Sequence, residues 1–315
     1  MLKKEITDFE LLDSLKKATE DGMTMFILSG GKFRGAFLSA PRLLNQMREN
    51  HSLGILESLA LGHALLSTAL LIPTMKGREH VTLRYETDGK CAGFQTEADS
   101  TGYVRGFLLT NPIPVSTPPE SWDLSPFFGN GFLTLSRFGE GMKEAQTGSV
   151  EIKNRNIAQD LAWYFDQSEQ TKTAFSTSVQ FDKKGRIIGA GGIFLQKIAR
   201  TGGNKIEEET DEEDEWLTEQ IEIALKKSKS IGKIIASGES AENAIQSIFK
   251  DFEPKIILSR SVIFDCPCSA EKFAQKIRAL GKDELNDIFE HDTDPLEVFC
   301  HNCGSVYKIY KEMLR

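Results

Sequence analysis

Cysteine is scarce in this chain, with five in 315 residues, yet four of the five fall within the 38 positions from Cys266 to Cys303. Other absences narrow the function. The five histidines show no HExxH spacing, and no carboxylate–histidine constellation stands out, so a metallohydrolase or other enzyme is not expected. No Walker A loop is present: Gly189-Ala190-Gly191-Gly192 lacks the lysine and serine that a phosphate cradle needs. Gly129-Asn130-Gly131 and Gly139-Glu140-Gly141 read as tight turns. The most apolar segment, Leu53 to Pro73, is interrupted by Glu57 and His63 and reads as a buried helix, not a membrane span. His63 on that helix is expected to be packed or to reach the surface. Met1 to Leu15 alternates charged and apolar residues and lacks the apolar centre of a signal peptide. A cytoplasmic location with reduced thiols is the expectation.

What is present gathers at the C-terminal end. Cys266-Pro267-Cys268 is followed by 31 residues and then by Cys300-His301-Asn302-Cys303-Gly304. Two short-spaced pairs are how a fold supplies four sulfurs to a tetrahedral Zn²⁺ at ~2.3 Å. Cys266, Cys268, Cys300 and Cys303 are therefore the expected ligands of one zinc. His301 could substitute for a thiolate, but four sulfurs already complete the shell. A complete shell leaves no open position for catalysis. Cys91 stands alone in an expected strand and reads as a small core residue.

Residues 1–200 carry the pattern of an α+β layer fold, with strands in runs and helices between them. Strands are expected at Met25–Leu28, Phe33–Leu38, His80–Tyr85, Cys91–Thr96, Gly102–Thr110, Phe132–Phe138, Ser149–Ile152, Ala174–Phe181 and Gly185–Gln196. Helical spacing covers Leu43–Glu49, Leu53–Ile72 and Asn156–Ser168. Prolines and glycines mark 111–131 as a loop.

The net charge of −8 is uneven. Residues 1–200 hold 23 basic and 22 acidic groups, 201–256 hold 7 and 14, and 257–315 hold 8 and 10. Segment 201–256 is thus an acidic linker, with eight acids in the nine positions from Glu207 to Glu215. Thr210 with Glu213 fits a capping box. Leu217, Ile221, Ala224 and Leu225 form an apolar stripe on one helix. Ala241, Ala244, Ile245, Ile248, Phe249 and Phe252 form another on a helix beginning near Ser240. Two readings stand: a solvated linker, or two helices covered only while something holds them down.

The tail, 257–315, is too short for a generous core. Packing in scaffolds of that size contributes ~3–5 kcal/mol, whereas a structural zinc contributes an apparent ~10–16 kcal/mol. The metal decides whether the tail is folded. Two roles remain open for it: an inert staple, or a switch that oxidation of the thiolates would throw. A bridge between Cys266 and Cys268 closes a small, strained ring, the labile kind. The alternative from another class is a constitutive zinc ribbon that binds RNA or the ribosome. Its basic face is missing, because the tail's balance is −2.

The Cys-x-Cys and Cys-x-x-Cys arrangement resembles the redox-regulated heat shock protein 33 (33 kDa chaperonin) family. Further segments match it in order: Phe33-Arg34-Gly35, Tyr103-Val104-Arg105-Gly106, Gly129-Asn130-Gly131, Tyr164 to Gln170, Gly191 to Gln196, and Val262 to Ser269. Between Tyr85 and Lys90 only Asp88-Gly89 of the family's glycine-rich turn is kept, and the acidic run is heavier than usual. The resemblance implies an ATP-independent holdase, zinc-bound and inactive when reduced. Oxidants would expel the zinc and form disulfides. The linker would then unfold and expose apolar surface to unfolding client proteins, in a homodimer, with no nucleic acid or membrane partner. Neighbours in sequence meet first once zinc leaves, so Cys266 with Cys268 and Cys300 with Cys303 are the expected bridges.

Overall fold

The apolar helix that the sequence places inside the protein sits between two sheets in a computed structural model, which describes residues 1–117, 119–198 and 211–314. In chain order the elements begin with α1 (Phe9–Lys17), β1 (Gly22–Leu28), β2 (Phe33–Ser39), α2 (Pro41–His51) and α3 (Ile55–Ala69). A meander follows: β3 (Glu79–Thr87), β4 (Gly93–Asp99), β5 (Tyr103–Leu108), β6 (Gly131–Gly139) and β7 (Gln146–Glu151). Then come α4 (Ile157–Gln167), β8 (Thr173–Phe181) and β9 (Ile187–Lys197). Helices α5 (Asp211–Lys227), α6 (Ile231–Ala236) and α7 (Ala241–Phe249) lead to β10 (Lys255–Arg260) and β11 (Ile263–Phe264). The chain closes with α8 (Ala270–Arg278), α9 (Lys282–His291), β12 (Leu296–Phe299) and β13 (Val306–Ile309). This is the α+β layer fold expected.

One sheet has the order β10-β1-β2-β9-β8, the other β11-β5-β4-β3-β6-β7. Helix α3 touches β3, β4 and β5 on one side and β8 and β9 on the other. Two of its polar residues find partners: Glu57 accepts from the Ile113 N–H at 2.9 Å, and His63 Nδ1 meets the Thr177 hydroxyl at 2.8 Å. Burial pulls the His63 pKa down to about 4. The stretch Ile55–Thr74 is long and apolar enough to cross a membrane, but it is mostly buried in this core.

The far face of the five-stranded sheet carries a second core. Phe26, Leu28, Phe33, Phe37, Ile193 and Leu195 are buried there against Ile221, Ile231, Ile234, Ile235, Ala244, Ile245 and Phe249 of α5, α6 and α7. Among its described residues the linker therefore holds three α-helices where spacing shows two. Six residues are too few to show a helical repeat, so α6 is invisible to spacing. Its seat is a glycine strip, because a Cβ on Gly189 would stand 2.0 Å from the Gly232 carbonyl oxygen. The acidic run and the Thr210–Glu213 capping box lie outside the described residues, except that the backbone of Asp211 to Glu215 belongs to α5 and the Glu215 side chain is exposed.

Two further differences bear on the site. Cys91 lies not in a strand but in the turn before β4, where Ala92 (φ 54°) and Gly93 (φ 115°) turn the chain. It is fully buried, as a small core residue should be, and burial pushes its thiol up to about 11. Strand β10 runs through 256 and 257 and pairs antiparallel with β1, so the start of the tail is a strand of the core sheet.

Candidate metal centre

Two short elements deliver the four cysteines. After β10 the chain passes to β11, which pairs in parallel with β5, Ile263 opposite Tyr103 and Phe264 opposite Val104. The buried side chains of Val262 and Phe264 anchor that strand, and Cys266 follows at its end. Ser269 then caps α8 by accepting from the Lys272 N–H at 3.3 Å. The second pair sits in the turn of the β12–β13 hairpin. There Gly304 donates to the Cys300 carbonyl at 2.8 Å, and Cys300 donates to the Ser305 carbonyl at 2.9 Å. Gly304 has φ 69°, and a Cβ there would meet the Asn50 carbonyl oxygen at 2.5 Å. Only glycine lets this turn lie so close to the end of α2.

The four sulfurs lie within 4.8 Å of one another. Cys268 and Cys303 are 3.4 Å apart and Cys266 and Cys300 3.9 Å, while a tetrahedron of ~2.3 Å zinc–sulfur bonds has edges of about 3.8 Å. Cys266, Cys300 and Cys303 are buried, and Cys268 is half-buried. Their protonation also fits a cation. Hydrogen bonds from Cys300 and then Cys303 draw the Cys266 thiol far below its usual range. The shared proton drives Cys300 far up, and bonding to Cys266 takes Cys303 to about 11. Four thiolates this close repel one another, and a dication is what stabilises them together. His301 is not part of the cluster; it packs against Phe107 and Phe299 at ring separations of 5.7 and 5.5 Å. Cys91 is likewise outside it.

Sequence reading missed the groups that surround the sulfurs. Arg105 of β5 points Nη1 at the Cys266 sulfur, 3.6 Å away, while its Nε donates to Glu97 at 2.7 Å. The Tyr307 hydroxyl lies 3.1 Å from the Cys268 sulfur, and the Ser305 hydroxyl 3.2 Å from that of Cys303. Asn50, buried at the end of α2, donates from Nδ2 to the carbonyls of Cys303 (2.9 Å) and Leu2 (3.0 Å). Gly106 donates to the Asn302 carbonyl at 2.9 Å. Among these, Arg105 and Gly106 belong to a segment that the family resemblance had already marked.

Fold and site together define an α+β core on which a four-cysteine, metal-type centre is docked through β5 and the end of α2. The sequence pattern of the Hsp33 protein family matches residues 21–310, and the chain belongs to that family. It is similar to the 33 kDa chaperonin of Lactococcus lactis subsp. cremoris (strain SK11), with 29% identity over 297 residues that cover 94% of this chain and 98% of the relative. The 33 kDa chaperonin of Caldanaerobacter subterraneus subsp. tengcongensis is 31% identical over 276 residues, covering 86% and 88%. The crystal structure of the 33 kDa chaperonin (heat shock protein 33 homolog) of Thermotoga maritima superposes with a TM-score of 0.79 at 27% identity, covering 94% of this chain and 97% of that one. Family membership puts the chain among chaperones.

Proposed function

We propose that this protein is an ATP-independent holdase whose client surface is covered while the cysteines hold Zn²⁺ and is released on oxidation. The observation that carries this reading is the gathering of all four sulfurs within 4.8 Å, at the place where the tail docks on the core. Cys266, Cys268, Cys300 and Cys303 would hold the metal, which when bound supplies the charge that keeps four thiolates together. The chain's own residues do the rest. Asn50, Arg105 and Gly106 tie both knuckles to the core. The linker helices cover the apolar face of the five-stranded sheet.

On this reading the chain works as a core (1–200), an acidic linker (201–256) and a redox-switch tail (257–315). An oxidant such as hydrogen peroxide takes two electrons per thiolate pair and leaves a disulfide. The knuckles separate once the metal goes, so the bridges form within them, Cys266 with Cys268 and Cys300 with Cys303. The cross-knuckle approaches of 3.4 and 3.9 Å belong to the assembled centre. Without the metal contribution the tail beyond β10 loses its fold, and the linker its support. The exposed sheet face and helix stripes then bind unfolding proteins, and two oxidised copies pair through the same surface. Reduced thiols of this kind suit the cytoplasm.

The test is to measure zinc content and suppression of aggregation of a heat-unfolded client, without ATP, before and after peroxide. One zinc per chain and little activity should give way to no zinc and strong activity. Equal activity in both states would sink the reading. Peptide mapping of the oxidised protein checks the bridges, and sedimentation checks the dimer.

A further inference from the structure

The segment ahead of β1 touches both parts of the chain that the proposed switch would move. Residues 2–4 lie across the end of α2. Leu2 donates its N–H to the Ser305 hydroxyl at 3.1 Å, and its carbonyl accepts from that hydroxyl at 3.0 Å. Lys4 donates its N–H to Asn50 Oδ1 at 3.1 Å, and its carbonyl accepts from Gln46 Nε2 at 2.9 Å. The Asn50 amide in turn donates to the carbonyls of Leu2 and Cys303, and its oxygen also accepts from Gln46. One buried side chain thus clasps this segment and the hairpin knuckle together, with both amide protons and both lone pairs engaged.

At its other end the same segment holds the linker. Thr19 donates its N–H to the Ile235 carbonyl at 3.1 Å and its hydroxyl to the Glu239 carbonyl at 2.7 Å. These bonds close on the last turn of α6 and on the turn that leads to α7. Gly238 (φ 77°) packs so near that a Cβ there would collide with the Lys17 carbonyl oxygen. Between the two ends α1 is not slack. Leu11, Leu15 and Ala18 are buried, and Asp8 and Glu10 both pair with Arg186. The segment is therefore fastened along its length.

We infer that residues 2–19 form an autoinhibitory strap, which fastens the hairpin knuckle at one end and α6 at the other and so restrains both in the covered state. The strap lies ahead of the stretch, 21–310, that the family pattern matches. Its grip is modest, because each net hydrogen bond shifts an opening equilibrium only about fivefold. That suits a restraint that must give way. When the hairpin loosens, Ser305 leaves Leu2 and the Cys303 carbonyl leaves Asn50, so the first end is held by α2 alone. The Thr19 end then remains as the last tie on α6.

The inhibitory role rests on the covered-to-released reading above, but the fastening does not. The experiment compares amide exchange in variants of the whole chain, reduced and zinc-loaded, over 296–309 and 231–238. Lys4→Pro removes the N–H that Asn50 accepts, and should quicken exchange in the hairpin about fivefold while α6 stays unchanged. Lys4→Ala keeps that N–H and loses only an exposed bond from the lysine amine to Ser52, so it should match the unaltered protein. Thr19→Val removes the hydroxyl at similar shape, and should quicken 231–238 about fivefold while the hairpin stays unchanged. With both ends cut, Lys4→Pro/Thr19→Val should bind a hydrophobic dye at a peroxide dose that leaves the unaltered protein covered. Equal exchange in Lys4→Pro and Lys4→Ala overturns the strap. So does a rise shared by α3 and the six-stranded sheet, which would be general loosening. An unchanged dye response in the double variant overturns its inhibitory role. The expected exchange and dye patterns without holdase activity in any variant would instead remove the chaperone reading alone.

Discussion

At the scale of single residues, the proposed ligand set divides the cysteines cleanly. Loss of one sulfur removes about a quarter of an apparent ~10–16 kcal/mol, so Cys268→Ser should weaken zinc binding on the order of 100-fold or more. Cys91→Ser should leave it unchanged, since Cys91 lies outside the cluster. Metal titration against a competing chelator measures both. A second expectation concerns pH. His63 and His51 are each pulled to about 4 by burial, below the 6.5 of an exposed histidine. The unfolded chain then binds protons that the folded one refuses. Their contribution is whole above pH 6.5 and erodes as pH falls toward 4, by up to about 3 kcal/mol for each. His63→Gln should remove about half of this slope in denaturant titrations across that window; an undiminished slope would place the cause elsewhere.

At the scale of elements, the linker helices depend on contacts that can be cut singly. Ile235 is fully buried in the core under α6, and Ile235→Ala should cost ~2–5 kcal/mol of docking. Amide exchange from Trp216 to Phe252 should quicken in the reduced variant, and a hydrophobic dye should bind it. The strands of residues 1–200 and the two long linker stripes were legible because period and turn residues mark them. So were the four cysteines, whose spacing leaves little else for them to do. Helix α6 was hidden by its brevity, and β10 and β11 by the lack of any alternation in six and two residues. Arg105 and Asn50 could not be found by spacing at all, because 161 and 253 positions separate them from the cysteines they touch. Only the pairing of β11 with β5, and the seat of Gly304 on α2, bring them there.

At the scale of the molecule, the acidic excess works against the covered state. Residues 201–256 carry a balance of −7, and like charges there repel when compacted. Salt shortens the range of that repulsion to about 3 Å at 1 M. Oxidised protein should therefore show slower linker exchange, and weaker client capture, in 0.5 M sodium chloride than in 0.05 M. Exchange that is indifferent to salt would mean that packing alone sets the balance.

The linker is bounded on both sides by strands of one sheet, β9 and β10, each hydrogen-bonded into it. A segment that lets go between such posts remains a closed loop over the surface it has left. Its stripes stay at an effective concentration in the millimolar range, whatever the dilution of the protein. On the proposed reading, clients would compete with an ever-present internal rival, and weakly held ones would be displaced when reduction restores the zinc.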